Sequence, residues 1–272
     1  MEALRQVDAW PVEQAAAGAL VRGGEPALHG DVERGFEWKS VTKLATALAV
    51  LVAAEEGVLE LDEAAGPPGS TVRHLLAHAS GLPLDAGAPI AEPGARRIYS
   101  NAGFEALGEL VADRAEMPFP DYLRAAVLEP AGIDAELRGS PAGGIVGSIA
   151  ALAALAAELL EPRVVAAETL AEASTVAFPG LVGVLPGFGR MEPNDWGLGF
   201  ELRDEKRPHW TGARNSPRTF GHFGQSGSFL WADPDADVAC FCLTDTLFGD
   251  WAKEVWPPFS DAVLAEATGA AG

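Results

Sequence analysis

The chain has 272 residues, 48% of them hydrophobic, and carries a formal net charge of −20 at pH 7. This length and composition allow a large folded core and exclude a chain that is mostly disordered. So acidic a surface repels phosphate backbones and anionic lipids, and we therefore expect no nucleic-acid partner and no membrane partner.

The first predicted elements are a hairpin and a buried helix. Residues 17–31 (AGALVRGGEPALHGD) alternate around Gly23-Gly24, a pattern typical of two antiparallel strands joined by a turn. From Ser40 to about Gly57 alanine and leucine dominate, and apolar residues occupy most of the helix circumference. A helix with so little polar surface is expected to lie buried between layers.

Helical patterns dominate the middle of the chain. The GPPGS break at residues 66–70 precedes Thr71, which we expect to cap a short helix that stops at Ser80-Gly81. Four more helical patterns follow, at residues 101–115, 119–132, 147–160 and 166–175.

Strand patterns return after about residue 185. They cover residues 196–204, 219–227, 228–233 and 237–245. The turn Asp233-Pro234-Asp235 joins the last two strands, and a final helix is predicted from roughly Ser260 to Thr268.

Strands at both ends with helices between them predict an α+β fold, an α/β sandwich. Its antiparallel sheet would come from the N- and C-terminal segments and be flanked by helices. We predict an α/β domain from residues 1–66 and 186–272 and an inserted, mostly helical domain from residues 67–185, with the active site at their interface.

Two cysteines, Cys240 and Cys242, lie two positions apart on a predicted strand. They point to the same side but are poorly placed for a bridge, so we expect free, buried thiols in a reducing compartment. The first residues lack the basic and apolar regions of a signal peptide, and the longest apolar stretches are too short to span a bilayer. Together these features predict a cytoplasmic protein.

Lysine is scarce, since the chain contains only four, yet Lys43 lies at the start of the predicted buried helix. Ser40 lies three residues earlier, on the same helix face, where its hydroxyl meets the amine. Unpaired backbone N–H groups of a first helical turn favour negative charge there. A desolvated lysine accepts a proton more readily, which would activate the serine as a nucleophile. Alone, S-x-x-K also fits a helix cap followed by a lysine that reaches solvent.

Two further motifs support a catalytic interpretation. Tyr99 and Asn101 form a Tyr-x-Asn, and Tyr99 is one of only two tyrosines. His222, Phe223 and Gly224 begin a strand pattern, where the glycine allows the backbone to approach a ligand closely. The N–H of the next residue, Gln225, would then complement the Ser40 N–H as a second oxyanion donor.

In this order, S-x-x-K, Tyr-x-Asn and His-x-Gly resemble the serine β-lactamase and penicillin-binding protein superfamily. The resemblance is strongest to its class C branch, which includes β-lactamases, D,D-carboxypeptidases and β-lactamase-fold esterases. It extends from about Val21 to Asp245 through blocks such as TVRHLLAHASGLP, WGLGF and FGHFGQSGSFLWADPD.

The resemblance implies a role for each motif residue. Ser40 would be the acylated nucleophile. Lys43 and Tyr99 would share the general-base proton, with Tyr99 either as a phenolate beside charged Lys43 or as a relay to neutral Lys43. Asn101 would hold Lys43 and hydrogen-bond the substrate. His222 would face the site and orient Tyr99 or a substrate carboxylate.

The resemblance also implies a substrate groove along the His222 strand. The N–H groups of Ser40 and Gln225 would form the oxyanion hole, and Phe223 and Gly224 would border the substrate. A neutral histidine attracts a carboxylate less than lysine does, which argues against strict recognition of β-lactams or D-Ala peptides. We therefore expect a serine hydrolase that acts on a small acyl ester or amide, with a β-lactam or D-Ala peptide as the alternative substrate.

Other functions remain open from the sequence. The chain would be a non-catalytic module that binds β-lactams or muropeptides if its acyl-enzyme were never released. His74 and His78 have the spacing of a metal pair, but no adjacent glutamate or third ligand is evident, so we expect no metal and no cofactor. His209 and Trp210 are predicted to pack on a surface loop near the site.

Overall fold

The computed structural model describes residues 1–269. The strands are β1 (Ala15–Val21), β2 (Ala27–Gly30), β3 (Phe36–Glu37), β4 (Ala135–Leu137), β5 (Ile145–Gly147), β6 (Gly183–Leu185), β7 (Gly189–Met191), β8 (Glu201–Leu202), β9 (Phe220–Gly224), β10 (Ser228–Asp233) and β11 (Val238–Thr244). The α-helices are α1 (Thr42–Glu55), α2 (Val72–Leu76), α3 (Asn101–Ala115), α4 (Phe119–Leu123), α5 (Glu129–Ala131), α6 (Ile149–Leu160), α7 (Ala167–Ala173) and α8 (Asp250–Ala267).

The main sheet joins the two ends of the chain. Its order is β2-β1-β11-β10-β9-β8, and every neighbouring pair is antiparallel. Ala15 of β1 pairs with Thr244 of β11, so the predicted hairpin lies against the last strand. The predicted α+β fold, with an antiparallel sheet from N- and C-terminal segments, is confirmed.

Both faces of the main sheet are buried, as β11 shows. Successive strand residues point to opposite faces. Ala239, Phe241 and Leu243 join the core that contains α1 and α6, whereas Cys240 and Cys242 join the core that contains α8. The two cysteines thus share a face, as expected, and both are free thiols.

Helix α6 lies within the segment predicted to form the helical domain, and it packs against β1, β10 and β11 of the main sheet. A small sheet of order β3-β5-β4 pairs residues just before α1 with residues of that same segment. The division into two domains stays a prediction.

The last helix begins earlier than the sequence predicted. The sequence predicted it from roughly Ser260, and Pro257 and Pro258 lack the N–H groups that a helix interior uses. The helix α8 instead begins at Asp250 and contains both prolines. Trp256 and Phe259 are fully buried beside them, and this packing outweighs the poor local helix propensity.

Helix α1 and strand β9 position the site. A 3₁₀ turn, Lys39–Val41, leads directly into α1, which is buried along almost all of its length. Trp38, just before that turn, is fully buried and donates from its indole nitrogen to the Gly147 carbonyl of β5, 3.2 Å away. The start of α1 is therefore fixed by the small sheet. Among residues 1–269, no helix is long and apolar enough to cross a membrane.

Candidate active site

Ser40 lies in the 3₁₀ turn that precedes α1, close to the first helical turn predicted for it. Its Oγ is 2.8 Å from the Tyr99 hydroxyl and 3.3 Å from Lys43 Nζ. The residue before it, Lys39, has a φ of 47°, in the left-handed region that few side chains adopt. Lys43, three residues away, and Tyr99, which is distant in sequence, thus meet at the Ser40 hydroxyl.

Lys43 is completely buried at this junction. Its Nζ donates to Asn101 Oδ1 and to the Ala142 carbonyl, each at 2.7 Å. Burial lowers the pKa of Lys43 to about 7, and the negative charges of Glu105 and Asp85 oppose that shift. A neutral amine has two N–H donors and one lone pair. The two oxygens use the donors, which leaves the lone pair for the Ser40 hydroxyl.

Tyr99 packs among aromatic rings at the same point. Its ring centroid is 4.7 Å from that of His78, 5.7 Å from that of His222 and 5.9 Å from that of Trp196. Burial raises the pKa of the Tyr99 phenol above its ordinary value, against the opposing hydrogen bond to Ser40. A phenol that keeps its proton is a donor, so Tyr99 donates to Ser40 Oγ. This geometry favours the neutral-lysine alternative over the phenolate.

The end of β9 lies directly against the Ser40 turn. A Cβ added to Gly224 would stand 2.5 Å from the Trp38 carbonyl oxygen and 3.2 Å from the Ser40 nitrogen. Only glycine allows this close approach. Gln225 follows at once and borders the space beside Ser40. The backbone nitrogen of Ser40 therefore lies against the end of β9, next to the residue that precedes Gln225.

His222 faces Tyr99 but does not hydrogen-bond it. Its Nδ1 lies 2.6 Å from the Phe223 carbonyl, so Nδ1 carries the proton and donates. Within the described residues 1–269, Nε2 is buried without a hydrogen-bond partner. Burial and the nearby charge of Lys43 lower the pKa of His222 to about 3, and the ring is neutral at pH 7.

Two spaces meet at Ser40. A cleft of about 810 Å³ lies on the Asn101 side, and a small cavity of about 60 Å³ lies on the Tyr99 side. Ser40 and Gln225 border both. The cleft is lined by Glu37, Lys39, Ser40, Asp85, Asn101, Glu105, Arg138, Ser140, Ala142, Gly143, Gly144, Ile145, Val146 and Gln225. The small cavity is lined by Ser40, Tyr99, Leu185, Pro186, Trp196, Glu201, His222, Phe223 and Gln225.

The cleft is acidic near Lys43. Asp85 accepts from Asn101 Nδ2 at 3.2 Å, and Glu105 accepts from the Ser140 hydroxyl. Across residues 1–269 neither carboxylate forms an ion pair. Sequence reasoning missed both residues, because their place beside Lys43 depends on how loop 83–100 folds over α3.

Glu201 also borders the site, and the sequence did not reveal it. It is buried on β8 and borders the small cavity. Its carboxylate contacts Lys206 Nζ, and it accepts from His209 Nε2 at 2.9 Å and Trp210 Nε1 at 2.8 Å. Burial would raise the pKa of Glu201, but the charge and hydrogen bonds of His209 and Lys206 lower it to about 2.

The expectation that His209 and Trp210 pack on the surface is wrong. They are only 8% and 1% exposed, because Glu201 supplies the acceptor that lets their ring N–H groups leave water. One available signal was the scarcity of lysine, since Lys206 is one of four and lies just before them. A buried charge needs a partner, and Glu201 is the nearby acid on a strand.

His74 and His78 do not face one another as a metal pair would. His74 Nδ1 lies 2.9 Å from the Thr71 hydroxyl, and its ring stacks on Phe178. His78 is buried, and its Nδ1 accepts from the Ser100 N–H at 3.1 Å. Over residues 1–269 no group of three or more His, Cys, Asp or Glu side chains is arranged to hold a metal ion.

The fold and the serine, lysine and tyrosine that meet at the start of α1 define a β-lactamase-like protein. The family model described as Beta-lactamase matches residues 7–263, and the chain therefore belongs to the β-lactamase family, whose members are typically serine hydrolases. The resemblance stated from the motifs is confirmed.

Solved structures agree with this family at two levels of similarity. A protein described as a β-lactamase from Mycobacterium bovis is 54% identical, with a TM-score of 0.96 over 98% of this chain and 99% of that one. EstCE1, described as a hydrolase with promiscuous acyltransferase activity, is 17% identical, with a TM-score of 0.76 over 98% of this chain and 96% of that one. The second likeness shows the fold alone.

A curated relative, penicillin-binding protein 4* of Bacillus subtilis (strain 168), is 28% identical over 132 residues. That match covers 36% of this chain and 29% of the relative. The matched region thus spans less than a third of the relative's length.

Proposed function

We propose that the protein is a serine hydrolase that cleaves small acyl esters or amides through an acyl-enzyme on Ser40. The observation that carries the proposal is the convergence on Ser40 Oγ of Lys43 Nζ at 3.3 Å and the Tyr99 hydroxyl at 2.8 Å. An adjacent base is what activates a serine hydroxyl as a nucleophile, and Tyr99 adds a group that can pass a proton beside the same oxygen.

In the proposed first step, neutral Lys43 takes the Ser40 proton while Ser40 Oγ bonds to the substrate carbonyl carbon. Asn101 and the Ala142 carbonyl hold the amine so that its lone pair faces the hydroxyl. The N–H groups of Ser40 and Gln225 stabilise the negative oxygen that develops on the carbonyl.

In the second step, the bond between the carbonyl carbon and the leaving oxygen or nitrogen breaks. The leaving atom takes a proton through the Tyr99–Lys43 pair, and the acyl group stays on Ser40. Water then attacks the acyl carbon, gives its proton to the same pair, and releases the acid. No other group close to Ser40 is needed as a base. Glu201, with its pKa lowered to about 2, is too weak a base for this purpose.

Charge favours an ester or amide over a β-lactam or D-Ala peptide. Both of the latter carry a carboxylate, whereas the site presents the neutral ring of His222 and the carboxylates of Asp85 and Glu105. The cations Lys39 and Arg138 also line the cleft, but each is already paired with a carboxylate, of Glu37 and Glu136 respectively. Like charges oppose binding of such a substrate. The alternative, β-lactamase or D,D-carboxypeptidase activity, is supported by the 54% identical protein described as a β-lactamase.

Replacing the nucleophile tests the proposal. Ser40→Ala should lower kcat/KM for p-nitrophenyl acyl esters by about 10⁴-fold or more, because the acyl-enzyme cannot form. Ser174→Ala, in which a hydroxyl bonded only to the Ala171 carbonyl is lost, should keep wild-type activity. Ester hydrolysis that survives in Ser40→Ala while the protein is folded would show that the nucleophile is another group.

The same assays separate the alternatives. A chromogenic cephalosporin and a D-Ala–D-Ala peptide, assayed beside the esters, should be hydrolysed at least about a hundredfold less efficiently. A non-catalytic binding module would instead gain an acyl or phosphonyl mass on Ser40 from a penicillin or fluorophosphonate probe, without turnover of any ester. We place the activity in the cytoplasm as part of the proposal, supported by the free thiols of Cys240 and Cys242.

A further inference from the structure

The small cavity beside His222 has an apolar wall and a few polar side chains at its edge. Its apolar wall consists of Leu185, Pro186, Trp196 and Phe223. The cavity measures about 60 Å³, enough for a group of only a few heavy atoms. The question is which chemical group fits the polar atoms at its edge.

The tautomer of His222 decides what Nε2 can do. Because Nδ1 donates to the Phe223 carbonyl 2.6 Å away, a neutral ring presents a lone pair at Nε2. Nε2 is buried, and in the described part of the chain, residues 1–269, it has no partner. A buried acceptor left unpaired is unfavourable, and the His222 side chain lines the cavity, so a group that reaches Nε2 from the cavity gains by donating a hydrogen bond to it.

The second polar group of the cavity is also an acceptor. Glu201 borders the same space, and its carboxylate is ionised, with a pKa lowered to about 2. Lys206, His209 and Trp210 already donate to it from the far side. Ser40, Tyr99 and Gln225 also line the cavity. Beyond them it offers acceptors from both His222 and Glu201, and either of these repels another acceptor.

We take the leaving group to lie on the Tyr99 side of Ser40 and the acyl chain on the Asn101 side. The leaving atom takes its proton through the Tyr99–Lys43 pair, and Tyr99 borders the small cavity. Asn101 borders the large cleft on the other side of Ser40. An acyl chain in the cleft therefore places the leaving alcohol in the small cavity.

We propose that the cavity beside His222 selects substrates whose leaving alcohol carries a second hydroxyl, which donates to His222 Nε2, and rejects leaving groups that carry a carboxylate. This inference rests on the proposed function and identifies its substrate class as short hydroxyalkyl esters. Ser40 Oγ bonds to the acyl carbon, the ester C–O bond breaks, and the diol leaves with the proton from the Tyr99–Lys43 pair. Water then releases the acid.

Three butanoate esters with matched leaving groups test the proposal: propyl, 2-hydroxyethyl and 2-carboxyethyl. Each kcat/KM is divided by the rate of hydroxide-catalysed hydrolysis, which removes differences in intrinsic reactivity. The hydroxyethyl ester should be preferred to the propyl ester by roughly tenfold, the effect of one hydrogen bond to a buried acceptor. The carboxyethyl ester should be disfavoured relative to propyl by about a hundredfold.

Two variants of His222 assign the preference to that ring. In His222→Leu the acceptor is lost, and the hydroxyethyl-to-propyl ratio should fall to about one. In His222→Gln an amide oxygen can accept in its place, and the ratio should recover to at least about threefold. Each readout is a ratio within one variant, so a general loss of activity does not affect it.

Several results would overturn the inference while leaving the proposed function intact. One is equal use of the propyl and hydroxyethyl esters by the wild-type enzyme, and another is preference for the carboxyethyl ester. A hydroxyethyl preference that persists in His222→Leu would assign the selection to another group. If His222→Leu does not fold, the wild-type ratios and His222→Gln still decide. If no ester is hydrolysed, the proposed function fails and this inference fails with it.

Discussion

Two buried lysines stand on opposite sides of the site, and their partners differ. Lys43 and Lys206 are only 0% and 4% exposed. Lys206 Nζ contacts the Glu201 carboxylate and donates to the Asp195 and Leu202 carbonyls, each at 2.6 Å. Within residues 1–269, the hydrogen-bond partners of Lys43 Nζ are the neutral oxygens of Ser40, Asn101 and Ala142.

In the proposed mechanism, this difference lets one residue type do two kinds of chemistry in one fold. Burial lowers the pKa of both lysines. The anion in contact with Lys206 opposes the shift directly, and that lysine serves as a fixed cation in a buried ion pair. Lys43 has Glu105 and Asp85 nearby but not in contact, and its pKa of about 7 lets it both accept and release a proton.

Among the variants that test this comparison, the one that removes the Lys43 amine should have the largest effect on activity. Lys43→Met should lower kcat/KM for short esters by about a thousandfold, since no base remains for the Ser40 proton. Its free energy of unfolding at pH 7 should fall by less than that of a variant that strands a buried charge, because the acceptors left unpaired, on Asn101 and Ala142, are neutral and the cost of burying the amine is removed. Steady-state kinetics and urea unfolding measure the two effects. Retention of more than a tenth of wild-type activity would exclude Lys43 as the base.

Removing the other lysine should give the opposite pattern. Lys206→Met leaves the Glu201 carboxylate buried without its cation, which should lower the free energy of unfolding by about 3–5 kcal/mol. The activity of the folded fraction should fall less than in Lys43→Met, because Lys206 does not contact Ser40.

A double variant provides the control for that loss. Glu201→Gln combined with Lys206→Met removes both charges and should recover most of the lost stability. A double variant as unstable as Lys206→Met would mean that the unpaired carboxylate is not the cause.

The pH dependence of activity reports the pKa of Lys43 and is expected to show a smaller effect. Below pH 7 Lys43 is an ammonium and cannot accept a proton, so kcat/KM should rise with pH through a midpoint near 7. Glu105→Gln removes a charge that raises the pKa of Lys43, and the midpoint should move to lower pH by roughly half to one unit. Glu109→Gln, an exposed residue one turn further along α3, should leave it in place. A midpoint that moves equally in both variants would indicate a general surface-charge effect.

Stability provides a second view of the same titration. Between about pH 7 and 10.5 the unfolded chain keeps the Lys43 proton and the folded chain does not. The unfolded state then binds more protons, so this group makes the folded state more stable as pH rises through that window. The free energy of unfolding of the wild type minus that of Lys43→Met, measured in urea, should therefore increase between pH 7 and 9. A constant difference would indicate an unshifted lysine.

Much of the catalytic geometry was predictable because local patterns encode it. The three-residue spacing of Ser40 and Lys43 places both at the start of one helix, and that start lies in the structure where the sequence indicated. The glycine at position 224 signalled a close backbone approach, which occurs at the Ser40 nitrogen. The order of the motifs and their family resemblance supplied Tyr99 and Asn101.

The missed residues depend on contacts that no local pattern encodes. Glu201 lies on a strand of only two residues, too short to show an alternating pattern. Lys206 and His209, which contact its carboxylate, lie in the loop that follows, and no sequence motif links them to Glu201. The sequence around His209 and Trp210 is typical of a polar surface loop. It does not show that the buried Glu201 carboxylate accepts a hydrogen bond from each of their rings. The early start of α8 has a similar cause, since the packing of Trp256 on the sheet overrides two prolines.

The central claim is that Lys43 exchanges its proton near neutral pH whereas Lys206 stays charged. With four lysines in the chain, ¹⁵N-lysine NMR can follow each side-chain nitrogen through a pH titration, and the Lys43→Met and Lys206→Met spectra assign the two buried signals. We expect the Lys43 signal to titrate at about pH 7 and the Lys206 signal to titrate at higher pH. A Lys43 signal that stays charged beyond pH 9, or one that titrates together with that of Lys206, would contradict the account.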